Sequence, residues 1–383
     1  MRLRTCVSFA IALVVLVGCH RHRVRHSGEP SSTGGVLVEQ PQPGAPLQAQ
    51  TETQGSGQQA GLSAVGPTQA LVRVTADAAD ETEPHLSPNA KIVVFVSSAA
   101  AQDPKGNAIT QTSIVGADPS NGSGRTIYTG TNGATDYPTW TPKGALVYVS
   151  SATGTPALVH ALTSAPNAAF RIITDGKMAK NPAYPCVSPD GRRIVFQASV
   201  AGIDSVVTIG ADGSRLTVLG PGYAPSYSPD GKRIAFARAI GSAYEIMTMN
   251  AANGGGLVQV TNARASSSKP KYSPDGRYIV FESSYGASVI PGGSPEATFN
   301  VFAVKPDGTS FTQLTTGAGE SGMPFWGTDG FIYFESNQGG TSSRDIWRVQ
   351  PTGDLASADA AVTPAGKSEN EHIPGANGGP PKW

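Results

Sequence analysis

The apolar positions of this chain do not alternate. They come in short unbroken runs: "KIVVFV" from Lys91, "RIVF" from Arg193, "YIVF" from Tyr278 and "FIYF" from Phe331. A strand with one wet face shows alternation, whereas a strand covered on both faces is apolar on consecutive residues. Ahead of each run stands a turn. It reads Ser-Pro-Asp-Gly at Ser188, Ser228 and Ser273. Proline presets φ early in such a turn and glycine accepts positive φ at its end. The local reading is therefore strand, tight turn, buried strand.

The phrase recurs six times. Its copies are "PHLSPNAKIVVFVSS" from Pro84, "PTWTPKGALVYVSS" from Pro138, "PCVSPDGRRIVFQAS" from Pro185, "PSYSPDGKRIAFAR" from Pro225, "PKYSPDGRYIVFESS" from Pro270 and "PFWGTDGFIYFES" from Pro324. Self-similarity at intervals of 40 to 54 residues marks a solenoid or a propeller. A second phrase follows within the repeats, as "VVTIGADGSRLTVL" (206–219), "EIMTMNAANGGGLVQVT" (245–261) and "VFAVKPDGTSFTQLT" (301–315). Each is strand, glycine-containing turn, strand. Four strands in each of six repeats predict an all-β fold, a six-bladed β-propeller with four-stranded antiparallel blades. Two segments compete for the outermost strand of the last blade. "LVRVT" (Leu71–Thr75) precedes Pro84 as "FTQLT" precedes Pro324, and "DAAVT" (Asp359–Thr363) is its rival.

Composition agrees with a turn-rich fold: 46 glycines, 30 prolines and only 15% charged residues in 383. The formal net charge is zero, which gives no reason to expect nucleic acid as a partner. Of the three cysteines, Cys6 and Cys19 lie at the N-terminus, so Cys186 has no disulfide partner inside the fold.

The N-terminus reads as an address. Arg2 and Arg4 precede an apolar run, Val7–Val17, too short for a permanent membrane span. It ends in "LVGC" (Leu16–Cys19), which resembles the lipobox of bacterial lipoproteins. That resemblance implies cleavage before Cys19 and lipidation of its thiol, leaving a mature net charge of −2. His20 follows the cysteine where an aspartate would signal inner-membrane retention, so the expected address is the outer membrane, facing the periplasm. "HRHRVRH" (His20–His26) reads as a solvated basic stretch beside the bilayer rather than a metal site. Residues 27–67 are rich in Gly, Gln, Ser, Pro and Thr and cannot bury enough surface to fold. As a coil, the tether reaches on the order of 40 Å. The expected organisation is a signal peptide at 1–18, a lipid-anchored tether at 19–68, the propeller at 69–366 and a C-terminal tail at 367–383.

With the upstream proline, the "SPDGxxIxF" phrase resembles the WD40-like PD40 repeats of the TolB propeller family, over about Leu71 to Thr363. Repeat one departs from it at Asn89-Ala90, repeat two at Lys143 and repeat six at Gly327-Thr328. The resemblance implies a monomeric periplasmic protein-binding scaffold, not an enzyme, with an envelope protein such as a peptidoglycan-associated lipoprotein as its partner. The family's α/β domain ahead of the propeller has no counterpart here, where the tether stands.

The motif aspartates Asp190, Asp230 and Asp275 read as turn formers bonding the local backbone. Strand direction sorts the loops onto two faces of the ring. The Ser-Pro-Asp-Gly turns share one. The loops ahead of each leading proline and after each "F-x-S" share the other, the longest being Ser98–Thr112 and Ser283–Phe299. Candidate partner-binding residues at that channel mouth are Asp136, Tyr137, Lys180, Tyr184, Tyr223, Arg264, Lys269 and Glu320, a set rich in the Tyr and Arg that anchor interfaces. Catalytic signatures are thin. His85, His160 and His372 share no ligand spacing, "SSSK" (Ser266–Lys269) lacks its companion motifs, and no G-x-S-x-G occurs. No cofactor or metal is expected. The alternative reading is a propeller enzyme or carbohydrate-binding module acting on envelope or extracellular glycan.

Overall fold

A computed structural model describes residues 68–356, apart from 77, 103–105, 130–132, 153, 175–176, 178, 288–297, 317–318 and 339–342. The expected signal peptide, Cys19, the tether, most of the Ser283–Phe299 loop, Asp359–Thr363 and the C-terminal tail lie outside the described residues.

The described residues form six four-stranded antiparallel sheets in chain order. Strand β1 (Val72–Arg73) comes first. Blade 1 is β2 (Asp80–Leu86), β3 (Val93–Gln102), β4 (Ala108–Ala117) and β5 (Thr126–Ile127). Blade 2 is β6 (Thr135–Trp140), β7 (Leu146–Ser150), β8 (Ala157–Ala161) and β9 (Phe170–Ile172). Blade 3 is β10 (Lys180–Val187), β11 (Arg193–Val200), β12 (Ile203–Gly210) and β13 (Thr217–Pro221). Blade 4 is β14 (Tyr223–Tyr227), β15 (Arg233–Ile240), β16 (Ala243–Asn250) and β17 (Val258–Gln259). Blade 5 is β18 (Ser267–Tyr272), β19 (Ile279–Ser283), β20 (Asn300–Val304) and β21 (Thr312–Gln313). Blade 6 is β22 (Ser321–Trp326), β23 (Ile332–Ser336) and β24 (Asp345–Val349), with β1 as its outer strand.

The unbroken apolar runs have a direct cause. Each second strand sends alternate side chains into different blade interfaces. Val93 and Phe95 pack into the cluster between blades 6 and 1, and Val94 into the one between blades 1 and 2. Ile279 and Phe281 face blade 4, while Val280 faces blade 6. Six such clusters occur among the described residues, one per interface. The aromatic of each motif (Phe95, Tyr148, Phe196, Phe236, Phe281, Phe334) is buried in one of them. Each such ring contributes about 1.5–3 kcal/mol on leaving water.

The motif aspartates hold their turns. Asp190 Oδ1 accepts from the Ser188 hydroxyl (2.6 Å) and from the Arg192 N–H (3.0 Å). Asp230 and Asp275 repeat both bonds. Asn89 replaces the aspartate of blade 1 without loss, accepting from Ser87 and Lys91.

Leu71–Thr75 supplies the closing strand. Val72 pairs with Arg348 and Arg73 with Trp347, and the Arg73 guanidinium meets buried Asp345 at 2.5 Å. The Thr75 hydroxyl accepts the Ile346 N–H at 2.8 Å. Thr129, Thr174, Thr261 and Thr315 do the same for the third strands of blades 1, 2, 4 and 5. Thr75 is thus the blade 6 copy of a repeated clasp, displaced to the other end of the chain. Joining first and last segments in one sheet removes an open edge.

One expectation needs correction. Ser98–Thr112 is not a long loop. β3 and β4 stay paired from Val93↔Ala117 out to Gln102↔Ala108, as a hairpin that overshoots its blade.

Candidate functional site at the channel mouth

The six leading strands neighbour one another around the axis. All six break register at one place, between Thr82 and His85, Asp136 and Thr139, Ala183 and Cys186, Tyr223 and Ser226, Ser268 and Lys271, and Gly322 and Phe325. The leading proline sits inside each break, where a missing N–H costs no ladder bond. The residue before it has positive φ in every blade: Glu83 (59°), Tyr137 (55°), Tyr184 (50°), Ala224 (50°), Lys269 (53°) and Met323 (48°). A left-handed residue other than glycine costs roughly 1–2 kcal/mol. Six in register form a ring of strained residues lining one cavity on the axis.

Side chains from neighbouring strands relieve part of that strain. The Glu83 N–H donates to Glu335 Oε2 (3.1 Å), Ala224 to Gln197 Oε1 (3.4 Å) and Met323 to Glu282 Oε2 (3.0 Å). Each acceptor is the residue after the buried aromatic on the preceding blade. Blades 1, 2 and 4 carry Val96, Val149 and Ala237 there. Tyr137 instead donates its N–H to Glu83 Oε2 (2.5 Å).

The axial cavity holds about 40 Å³. That is little more than one water's share of liquid, about 30 Å³. The Tyr137 and Tyr184 rings, 4.4 Å apart between centroids, fill one side of it. Burial pushes both hydroxyl pKa values up, with neighbouring charges adding to the shift. Below them, His85 lies 3.9 Å from the Phe325 ring and within 3.2 Å of the Thr139 hydroxyl. Burial lowers its pKa to about 3, so it is neutral at physiological pH.

A second cavity, of about 110 Å³, adjoins the first at Lys269. Its charges are paired. Lys269 Nζ lies 3.1 Å from Glu282 Oε1, and Arg344 spans Glu320 (3.0 Å) and Glu335 (3.6 Å). Burial disfavours the Lys269 charge, but Glu282, Glu335 and Glu83 outweigh it and raise its pKa. Burial raises Glu335 to about 7 against the pull of Lys269 and Arg344. Burial, Asp136 and Glu335 hold Glu83 well above the usual carboxylate range. The channel is a stoppered, charge-paired core. Among the described residues, no group of three His, Cys, Asp or Glu is arranged to hold a metal ion.

The sequence candidates divide accordingly. Tyr137, Tyr184 and Lys269 share the axial cavity, and Glu320 joins Lys269 in the second. Asp136 is half-buried beside Tyr137, and burial raises its pKa. Tyr223 packs edge-on against Tyr244, 4.8 Å between centroids. Lys180 and Arg264 are exposed and line neither cavity, Arg264 donating its N–H to Glu245 at 3.1 Å.

Sequence reasoning missed Glu83, Glu282 and Glu335. The polar residue after the motif aromatic was the available signal. It also missed the rim. The central hairpins of blades 1, 3 and 4 run eight to ten residues per strand, against five in the others. In blade 3, Ala201 (51°) and Gly202 (82°) make the two-residue turn. Two positive-φ central residues match the right-handed strand twist. These hairpins hold exposed apolar side chains above the mouth: Ile109, Ile203, Ile240 and Tyr244.

No protein-family model matches the chain, and no curated protein does. Solved structures do. A TolB structure from Agrobacterium tumefaciens superposes with a TM-score of 0.53 at 17% identity, covering 74% of this chain and 97% of that one. A TolB structure from Acinetobacter baumannii gives 0.49 at 19% identity, covering 72% and 63%. A gluconolactonase from Xanthomonas campestris gives 0.51 at 14% identity, covering 75% and 91%. Identities this low speak to fold alone. With six four-stranded blades closed by its own first strand, the chain has the TolB-like six-bladed β-propeller fold.

Proposed function

We propose that this propeller is a non-enzymatic scaffold of the bacterial cell envelope, lipid-anchored through Cys19, which docks a segment of a partner protein at its channel mouth. One observation carries the reading: among the described residues, the long hairpins of blades 1, 3 and 4 present exposed apolar side chains on the mouth face, while the axial cavity is small. Small-molecule pockets hold about 300–1,000 Å³, and the axial cavity holds about 40 Å³. A partner therefore meets the mouth as a surface. Ile203, Ile240 and Tyr244 offer apolar contact, and Tyr223, packed on Tyr244, links the rim to the mouth. Arg264 and Lys180 supply exposed charge beside it.

The test is capture from detergent-solubilised envelopes, with Ile203→Asp, Ile240→Asp and Tyr244→Ala combined in one variant. All three side chains are exposed, so the fold should survive. The scaffold reading expects a specific protein captured by the wild type and lost with the variant. Capture that the triple substitution leaves unchanged ends it. Mass spectrometry of the processed N-terminus tests the anchor separately, where an unmodified Cys19 thiol refutes it.

The likeness in fold to a gluconolactonase supports a second reading, a propeller enzyme or carbohydrate-binding module. Turnover of a lactone or an envelope glycan by the purified chain would favour it over the scaffold.

A further inference from the structure

The face opposite the mouth carries the Ser-Pro-Asp-Gly turns. There, between blades 2 and 3, lies a cleft of about 1070 Å³. Its two walls are basic. Blade 2 contributes Lys143 and Arg171, and blade 3 contributes Arg192, Arg193 and Arg215. Against these five cations stand only Asp190 and Asp212, a net of +3. Both carboxylates are occupied locally, by Ser188 and the Arg192 N–H and by Ser214. Those hydrogen bonds lower their pKa values and keep them ionised. His160, at the cleft wall, is held toward its neutral form by burial and by Arg171.

Three features separate this cleft from an ordinary solvated face. The next cleft around the ring, between blades 3 and 4, holds about 470 Å³ and sets Arg193 against Asp190 and Asp230, a net of −1. The positive charge is therefore local. Second, Lys143 stands where four of the other repeats have aspartate and one has asparagine. Those residues each make two hydrogen bonds that hold the turn in blades 1, 3, 4 and 5. Blade 2 relies on Thr141, whose hydroxyl accepts the Ala145 N–H and whose carbonyl accepts that of Gly144. A residue that breaks a local rule without a local gain points to function. Third, several donors line the cleft unspent: among the described residues, Lys143, Arg192 and Arg215 are exposed without an ion pair, whereas Arg193, shared with the next cleft, already donates to the Thr208 hydroxyl at 2.6 Å. Arg171 is partly used, donating to the Ala211 carbonyl and lying 3.2 Å from His160 Nδ1.

We infer that the cleft between blades 2 and 3 is a binding site for a diphosphate-bearing ligand. Guanidinium forks match phosphate oxygens in pairs. A diphosphate carries about two to three negative charges on adjacent phosphoryl groups, which offsets a net charge of +3 and offers oxygens to cations of both walls at once. The remaining volume, beside Pro142 and Leu162, accepts an organic body. That body belongs either to a soluble sugar nucleotide or to a lipid diphosphate. The site lies on the opposite face from the proposed docking surface, so its fate is independent of partner capture.

Titration calorimetry of the full chain with inorganic pyrophosphate tests the site. Lys143→Asp is the informative variant, because it restores the turn residue of the other repeats while reversing a charge in the cleft. The variant should unfold at the same temperature as the wild type or higher, and bind pyrophosphate at least about tenfold more weakly, the loss of one charge-assisted contact. Arg215→Gln should weaken binding as well. Uridine diphosphate glucose and a water-soluble prenyl diphosphate then distinguish the two sources, the tighter ligand naming the organic body. Equal binding by Lys143→Asp and wild type overturns the site. So does sulfate binding as tightly as pyrophosphate, or failure of both organic diphosphates to bind.

Discussion

Glu335→Gln should make this protein more stable at alkaline pH and leave it unchanged in acid. Glu335 sits inside the ring, accepts the Glu83 N–H through Oε2 and lies 3.6 Å from the Arg344 guanidinium. Burial nevertheless dominates and raises its pKa to about 7 from the 4.5 of a free glutamate. The folded state therefore binds this proton more tightly than the unfolded state. Its contribution is fully present below pH 4.5 and is lost as the pH rises toward 7. At about 1.36 kcal/mol per pH unit, the loss amounts to ~3 kcal/mol. Glutamine keeps the acceptor for Glu83 and stays neutral at every pH. For a propeller of roughly 290 residues the unfolding entropy is about 0.6 kcal/mol/K, so ~3 kcal/mol corresponds to about 5 °C in Tm. Calorimetric scans of wild type and variant at pH 4.5, 6 and 8 should show a gap opening from zero to about 5 °C. Glu83, raised in the same direction and partly by Glu335 itself, should decline less in the variant, which widens the gap with the same sign. A gap independent of pH, or a variant less stable at pH 8, would refute the argument. The first result would mean that Lys269 and Arg344 balance the cost of burial, the second that they outweigh it.

Other substitutions probe ring closure and blade packing. Arg73→Ala removes the cation 2.5 Å from buried Asp345, across the sheet that joins the two chain ends. Chemical denaturation should show a loss of about 3 kcal/mol, and a loss under 1 kcal/mol would mean that backbone pairing alone holds the ring. Gly222→Ala places a Cβ 2.4 Å from the Phe236 ring at a φ of 151°. It should cost about 3 kcal/mol, combining strain with overpacking. Gly220→Ala, at φ 148° with nothing within 4 Å, carries the strain alone and should cost clearly less in the same assay. Equal losses at the two glycines would remove the steric account.

The repeats are regular in the core, and the departures from them lie at the two faces of the ring. On the mouth side the irregularity is hairpin length, which raises Ile203, Ile240 and Tyr244 above the ring. On the turn side it is one residue, Lys143, set against a column of aspartates. Repetition makes each departure visible, because five copies state what the sixth should have been.

The repeated phrase by itself determined the six blades, the four strands in each and the role of the aspartates. Those features follow from local chemistry: proline and glycine fix a turn, and unbroken apolar runs require cover on both faces. The Thr75-to-Pro84 spacing also pointed to the strand that closes the ring. The sequence could not reveal that the residue before each leading proline would turn left-handed, since nothing in Glu83, Tyr137 or Lys269 favours positive φ. That conformation arises where six leading strands crowd one axis and each must bulge. The carboxylate cluster was equally hidden. Glu83, Glu282 and Glu335 lie up to 252 residues apart in the chain, and only closure of the ring brings them to one place, out of water, where burial raises the pKa of Glu83 and Glu335.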